Sequence, residues 1–361
     1  MRKICFVAYD MSVIGGVEQV ITSLANSLCE KYEIYIYSIN LNHGEVKYTF
    51  NENIHFIKML NSENRLRNMI KKNFIPFIRF VNENKIDVVL MMENYAGLIT
   101  SATRFFTRAK YIYCDHGALM NQWNRKDIVA IKFFDSLLAN RIVTLTERTK
   151  KDFIEKFHIK ERKIQYIYNW IEPELLEGRK AYNLTSKRII SAGRFGAEKG
   201  YDMLVKVAEI VMPANPDWKW EIFGDGEKFN EIKQAIEERN LQGQVILRGS
   251  VKNVSKLFGE YSFLVLPSYR EGLPLTLLEA KACGIPMVSF DIITGPREII
   301  DDGEDGFLIE PYNIEEMAKK INELMRSDRL RKSMSEATYK GINKFDKTSI
   351  VHQWEELLDN I

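Results

Sequence analysis

From one end of this chain to the other, short apolar runs alternate with helical stretches, and near residue 187 the alternation starts again. Ile4–Ala8, Ile34–Ser38, Ile54–Ile57, Asp87–Met91, Tyr111–Cys114, Arg141–Thr144 and Ile164–Ile167 read as strands of the first half. Arg188–Ala192, Trp220–Phe223, Val245–Leu247, Phe263–Leu266, Ile285–Ser289 and Phe307–Ile309 read as strands of the second. Runs this short and continuous suit strands buried on both faces. Such strands joined by helices predict a doubly wound parallel sheet, so two α/β domains are expected. The tail reads as helical at Ile314–Met325, Asp328–Asn343 and Thr348–Asn360.

A length of 361 residues suits two domains with full cores. Residues 173–186 are polar and helix-poor and are expected to link a domain over 1–172 to one over 187–345. No apolar run approaches the roughly 18 residues a membrane span needs. The start, Met1–Tyr9, has basic residues and an apolar run, but Asp10 cuts it short, so it reads as a strand and not a signal peptide. Cys5, Cys29, Cys114 and Cys283 share no paired spacing and read as buried thiols of a reducing cytoplasm. Residues 1–186 hold 27 Lys+Arg against 20 Asp+Glu, and the remainder 24 against 29. The basic excess gathers at Arg65, Arg67, Lys71, Lys72 and Arg79, interleaved with Ile70, Phe74, Ile75, Phe77, Ile78 and Phe80. This segment leaves two readings open, a peripheral contact with anionic lipid or a helix with one core face. No basic stripe lies on a recognisable nucleic-acid module.

The chemistry-bearing residues sit where strands end, and ligands of doubly wound sheets bind there. Phe263–Leu266 is closed by Pro267 and Ser268, and a helix is expected to begin near Pro274, whose missing N–H suits a first turn. The intervening loop, through Gly272, Leu273, Pro274 and Leu275, offers backbone N–H groups and a positive dipole end to an anion. Glu271 lies in that loop and Glu279 on the helix behind it. Carboxylates beside an anion site suit a ligand carrying both phosphate and hydroxyls, as a nucleotide sugar does. Arg194 and Lys199 follow another strand and precede a helix, two cations converging on an anion site, and Gly224 and Gly226 form a glycine turn at the next strand end. In the first half Gly15 and Gly16 follow strand one, and His116 follows the strand ending at Cys114, with Glu93 and Asn94 as weaker candidates. A dinucleotide site would want G-x-G-x-x-G and an acid closing strand two; only Gly15 and Gly16 are present, and Ser38 and Asn40 stand at that end, so a dehydrogenase is excluded.

Glu271 to Glu279 resembles the Glu-x7-Glu motif of the retaining glycosyltransferases of family 4, which have the two-domain glycosyltransferase-B fold. The likeness extends over nearly the whole chain. Gly15-Gly16 before Glu18 is similar to the family's Gly-Gly-x-Glu segment, Arg194 to Gly200 to its Gly-Arg-x5-Lys-Gly segment, and Gly224 to Gly226 to its G-x-G turn. Asn169–Pro173 resembles an Asn-Gly-Ile/Val-Asp turn, with Trp170 replacing the glycine, and Thr294–Glu298 resembles members that build surface polysaccharides from UDP-hexoses or UDP-N-acetylhexosamines. The resemblance implies two Rossmann-like domains facing across a cleft, with the last helix, 346–361, returning to the first domain on a stripe of Val351, Trp354, Leu357 and Leu358. It implies that Arg194 and Lys199 hold the donor diphosphate, Glu271 the sugar hydroxyls and Glu279 the ribose. It further implies that His116 approaches the donor sugar, that the glycine loop closes over the diphosphate and that Arg248–Val251 brackets the base.

Transfer with retention from a UDP-sugar to a glycan or lipid-linked acceptor is therefore expected, at the inner face of the cell membrane. No Asp-x-Asp pair stands at a convincing loop, so Arg194, Lys199, the helix end and the Gly15–Gly16 amides are expected to stabilise the leaving group without a metal or cofactor. Acceptor-facing residues fall on the loops 42–50, 61–67 and 118–127, which carry no readable motif. Two alternatives stay open. One is a non-catalytic nucleotide-sugar-binding partner subunit. The other is a UDP-sugar epimerase of the same fold, whose acid/base carboxylates would have to be Asp115 or Glu93.

Overall fold

The computed structural model describes residues 1–42, 44–60, 63 and 65–361. Contacts divide the chain into two compact units, Met1–Asn169 with Thr348–Ile361, and Trp170–Lys347.

The first unit is a seven-stranded, all-parallel sheet of β1 (Lys3–Asp10), β2 (Glu33–Asn40), β3 (His55–Lys58), β4 (Val88–Met91), β5 (Lys110–Asp115), β6 (Arg141–Thr144) and β7 (Ile164–Tyr166). Their spatial order is β3-β2-β1-β4-β5-β6-β7. The strand order reverses between β1 and β4, and Gly15 and Glu93 follow these two strands. The helices are α1 (Gly16–Leu28), α2 (Leu66–Glu83), α3 (Asn94–Thr100), α4 (Lys126–Leu138) and α5 (Glu147–Phe157). Cys5, Val7, Tyr35, Tyr37, Val89 and Tyr111 of the sheet form one core with Met69, Phe77 and Val81 of α2. α2 therefore buries the face i, i+4, i+8, i+12 through Met69, Asn73, Phe77 and Val81. The core reading of the basic segment accounts for Phe77, while Ile75 on the opposite side is 58% exposed.

The second unit is a six-stranded, all-parallel sheet of β8 (Arg188–Ala192), β9 (Lys219–Phe223), β10 (Val245–Gly249), β11 (Phe263–Leu266), β12 (Met287–Phe290) and β13 (Gly306–Ile309), ordered β10-β9-β8-β11-β12-β13. The reversal falls between β8 and β11, the strands followed by Arg194 and Glu271. The helices are α6 (Pro173–Glu177), α7 (Tyr201–Val211), α8 (Phe229–Glu238), α9 (Leu275–Cys283), α10 (Pro296–Ile299), α11 (Ile314–Arg326) and α12 (Asp328–Ala337). The last helix, α13 (Lys347–Asp359), has all but its first residue in the first unit. There Tyr32 donates its hydroxyl to Asp359 at 2.7 Å and Lys31 pairs with Asp359 at 2.9 Å.

Several expectations shift for local reasons. The strand expected at Ile285–Ser289 begins at Met287, because Pro286 has no N–H for the ladder. The helix expected over Asp328–Asn343 ends at Ala337, and Gly341 turns the chain at φ 65°. The buried stripe of α13 is Ile350, Trp354, Leu357 and Leu358; Val351 is half-buried beside it. The stretch 173–186, expected as a linker, starts with a helical turn and belongs to the second unit. Arg179 donates to Thr338 at 3.0 Å and to the Ser335 carbonyl at 2.9 Å.

Candidate active site

In the second unit two loops leave the sheet at its point of reversal and are knitted together. The loop after β8 passes through Arg194 and a 3-10 turn, Ala197–Lys199, to Gly200, which starts α7 at φ 66°. A Cβ on Gly200 would stand 2.0 Å from the Pro267 carbonyl oxygen, so only glycine lets this loop rest on the end of β11. The Tyr269 N–H donates to the Glu198 carbonyl at 2.8 Å, and the Tyr269 hydroxyl to Asp202 at 2.6 Å. Gly224 takes φ 139°, and a Cβ there would meet the Gly193 carbonyl oxygen at 1.9 Å. The turn to Gly226 thus presses on the Arg194 loop, and the Phe195 N–H donates to Asp225 O at 2.9 Å.

Lys199 and Glu271 meet here. The ammonium lies 2.7 Å from Glu271 Oε1, which also accepts the Ser268 hydroxyl at 2.6 Å. Thr294, 3% exposed, donates to the Glu271 carbonyl at 2.7 Å. A Cβ on Gly295 would touch Pro274, Gly272 and Glu271. Arg194 is held at 2.8 Å by Glu198, with half of its side chain exposed. Burial works against the Glu198 charge, but Arg194 and a backbone N–H outweigh it and hold the carboxyl below its usual range. α9 starts after Pro274 with no side chain capping its first turn, leaving its N-terminal dipole to a ligand. Gly272 and Leu275 are half-buried, Leu273 and Pro274 buried, and Glu279 is half-buried one turn further on. Nothing in the sequence singled out Ser268 and Glu198, because each acts through local pairing that no motif displays, and the Thr294–Glu298 stretch gave no sign that Thr294 donates to the Glu271 loop.

Arg248 lies where β10 slips register between Leu247 and Gly249. Its guanidinium binds Glu221 at 2.6 Å, and Glu221, 3% exposed, also binds Arg188 at 2.9 Å. Despite burial, these two cations hold the Glu221 carboxyl down at about 2. Arg248 therefore anchors the loop, and Val251 is 41% exposed. The Gly224 N–H donates to Gly249 O at 2.8 Å, joining this loop to the glycine turn.

In the first unit Gly15 precedes α1 in an extended conformation, φ −156°. The Glu18 carboxylate folds back over it, 2.4 Å from where a Cβ would stand. The Tyr48 hydroxyl bonds both the N–H and the carbonyl of Gly15 at 3.0 Å, which leaves Gly16 as the first residue of α1. Burial, and then Glu18 beside it, push Glu93 well above the usual carboxylate range. Asn94 accepts the Tyr113 hydroxyl at 2.6 Å. Asp115 accepts the buried Lys132 ammonium, and after His116 and Gly117 the chain turns through Ala118 at φ 52°, a region non-glycine residues seldom occupy. His116 Nε2 is buried without a partner among the described residues. Burial, with Lys132 nearby, lowers its imidazole to about 4 against the opposing pull of Asp115, so it is neutral at pH 7. Positions 43, 61, 62 and 64 of the expected acceptor loops lie outside the described residues.

Two all-parallel sheets, each with glycine loops and ionisable residues at its reversal point, define a two-domain α/β protein of the glycosyltransferase-B class. The family model for glycosyl transferases group 1 matches residues 176–341, and that for Glycosyltransferase Family 4 matches residues 14–175. The chain belongs to this family and is a glycosyltransferase. A Haemophilus influenzae protein named as an uncharacterized glycosyltransferase is 29% identical over 364 residues, covering 99% of this chain and 100% of its own. The N-acetylgalactosamine-N,N'-diacetylbacillosaminyl-diphospho-undecaprenol 4-alpha-N-acetylgalactosaminyltransferase of Campylobacter jejuni is 28% identical, covering 97% of both chains. Among solved structures, a mutant of TarM from S. aureus in complex with Fondaparinux, alpha-GlcNAc-glycerol and UDP superposes with TM-score 0.84 at 17% identity, over 99% of each chain. Anabaena HepE in complex with UDP and glucose superposes with TM-score 0.82 at 16% identity, over 100% of each.

Proposed function

We propose that the chain transfers a hexose or N-acetylhexosamine, with retention, from a UDP-sugar to a hydroxyl of a glycan or lipid-linked acceptor in bacterial surface-polysaccharide synthesis. The observation that carries the reading is the Lys199–Glu271 pair, 2.7 Å apart, between the Arg194 loop and the start of α9. Cations, a helix dipole and a hydroxyl-accepting carboxylate suit the two ends of a sugar diphosphate. Relatives named as N-acetylgalactosaminyl- and N-acetylglucosaminyltransferases support the sugar class, and neighbours bound to UDP or UDP-glucose support the nucleotide.

In this reading the acceptor oxygen attacks the donor C1, the bond from C1 to the diphosphate oxygen breaks, and the acceptor proton passes to the departing phosphate. Arg194, Lys199 and the α9 dipole take up the charge growing on that phosphate, each a preorganised donor worth roughly 3 kcal/mol of barrier. This charge set is what supports catalysis without a metal. Glu279 would hold the ribose hydroxyls, and neutral His116 would bond a sugar hydroxyl.

The test is a thermal-shift panel of UDP, GDP, ADP and four UDP-sugars in EDTA, followed by product analysis with and without acceptor. A ligand of the folded state raises its melting point. UDP and one UDP-sugar should stabilise the protein, and Glu279→Ala should cut that shift. Loss of turnover in EDTA rescued by Mn²⁺ would defeat the metal-free mechanism. Conversion of the sugar nucleotide without acceptor would favour an epimerase, for which the raised Glu93 beside Glu18 is the feature to examine.

A further inference from the structure

Helix α4 is built inside out. Its buried positions are Ile128, Lys132, Asp135 and Ser136, whereas Ala130, Phe133, Phe134 and Leu137, spaced i, i+3, i+4, i+7, form its exposed stripe. A helix bordering water does the reverse. The inward polar face is poorly served: Lys132 has Asp115, Asp135 has only the Ser101 hydroxyl and the charge of Lys132 near it, and the Ser136 hydroxyl is without a partner among the described residues. The outward face is no isolated leucine of the kind every surface carries. Phe133, Phe134 and Leu137 are 40%, 56% and 56% exposed.

Neighbouring elements extend this face. The 3-10 helix Ser101–Phe106 adds Phe105 and Phe106, 71% and 59% exposed, and α2 adds Ile75. All four exposed phenylalanines among the described residues are thus on these elements. They are joined directly. The Arg104 guanidinium donates to the Leu138 carbonyl on α4. Phe106 meets Phe74 of α2 edge-on at 5.9 Å, and Asn82 of α2 donates to its carbonyl at 3.1 Å. Exposed apolar side chains gathered on adjoining elements in this way mark a site of association.

Its surroundings are basic. α2 carries Arg67, Lys71, Lys72 and Arg79 against Glu83 alone, with Lys71, Ile75 and Arg79 one turn apart on one side. Lys72 is engaged by Glu63 at 2.9 Å. Residues 101–110 add Arg104, Arg108 and Lys110 and no acid. Lys163 reaches the Leu137 carbonyl at 3.0 Å. A second copy of the chain would set like charges against this rim, whereas phosphate headgroups above acyl chains match both the rim and the rings. We propose that α4, the 3-10 helix Ser101–Phe106 and the outer side of α2 form a docking face for an anionic lipid bilayer, with the phenylalanines in the interface and the cations on headgroup phosphates. It rests on the transferase reading only in expecting a lipid-linked acceptor at that membrane.

The experiment is co-sedimentation of the full chain with vesicles of phosphatidylcholine alone or containing a third phosphatidylglycerol, at low and high salt, beside Phe105→Ser/Phe134→Ser and Lys71→Glu/Arg79→Glu. The anionic vesicles should bind the chain at least tenfold more tightly than neutral ones. Each double variant should lose at least tenfold of that binding, with melting point and UDP response unchanged. No vesicle binding, or binding indifferent to the phenylalanine variant, overturns the proposal. So does a dimer in sedimentation velocity that the phenylalanine variant converts to monomer, since the face would then join protein to protein. Vesicle binding with no UDP response would uphold the docking face while removing the donor reading.

Discussion

Lys199 and Glu271 stand 72 positions apart and were expected to grip different parts of the donor, yet in the folded chain they grip each other. The same holds for Arg194, which the sequence offers to a diphosphate and the structure gives to Glu198. An anion entering here exchanges one partner for another, so the site holds its cations in place at the cost of some affinity. Glu198→Gln should remove the competitor and lower the Kd for UDP roughly two- to fivefold, the worth of a half-exposed ion pair. Titration calorimetry decides the matter; a weaker Kd would mean that Glu198 aims Arg194 at the ligand. That Lys199 and Glu271 would come onto neighbouring loops was legible, because those loops carry recognisable spacing at the ends of strands. The Glu18–Glu93 contact was not, because it depends on β1 lying beside β4, a strand order that no local pattern encodes.

Among the elements, strands were easiest to read. A strand buried on both faces has little choice but to be apolar, and β1 shows it, with Ile4 to Ala8 at most 1% exposed. Helices were harder where their pattern served something other than the core. α4 offers a helical apolar stripe, Ala130-Phe133-Phe134-Leu137, that any core rule would turn inward; the chain turns Lys132 and Asp135 inward instead. Burial pushes Asp135 up to about 8, against the opposing pulls of the Ser101 hydroxyl and then Lys132. A carboxyl raised on folding supports the fold below its unfolded value near 4 and withdraws that support as pH rises through 8. Asp135→Asn should therefore flatten the fall in stability between pH 4 and 8 and leave the variant roughly 2–4 kcal/mol more stable at pH 8. Urea titrations across that range measure it, and a parallel fall in the variant would assign the loss to other groups.

At the scale of the molecule, the second unit is one continuous segment, while the first is assembled from both ends of the chain. The ends of the second unit are tied to each other: Lys347 pairs with Glu172 at 2.9 Å and stands 5.7 Å over the Trp170 ring, and the Ile171 N–H donates to Phe345 O at 3.0 Å. Removing residues 348–361 would strip Ile350, Trp354, Leu357 and Leu358 from the first unit, on the order of 5 kcal/mol or more of apolar burial. Limited proteolysis of that truncation should degrade the first unit and spare the second, with UDP still protecting it. Equal loss of both units would show that they fold as one.

This arrangement also dictates an order of events during synthesis. A chain normally completes its domains from the N-terminus onward as it leaves the ribosome. Here the sheet of the first unit is made early, but the helix that completes it lies beyond the whole second unit in the chain, so the first unit stays unfinished until the second has been translated. The second unit, begun later, has its whole sequence in hand sooner. The domain that starts first is thus the one that finishes last, and during that interval it is the one a chaperone would find.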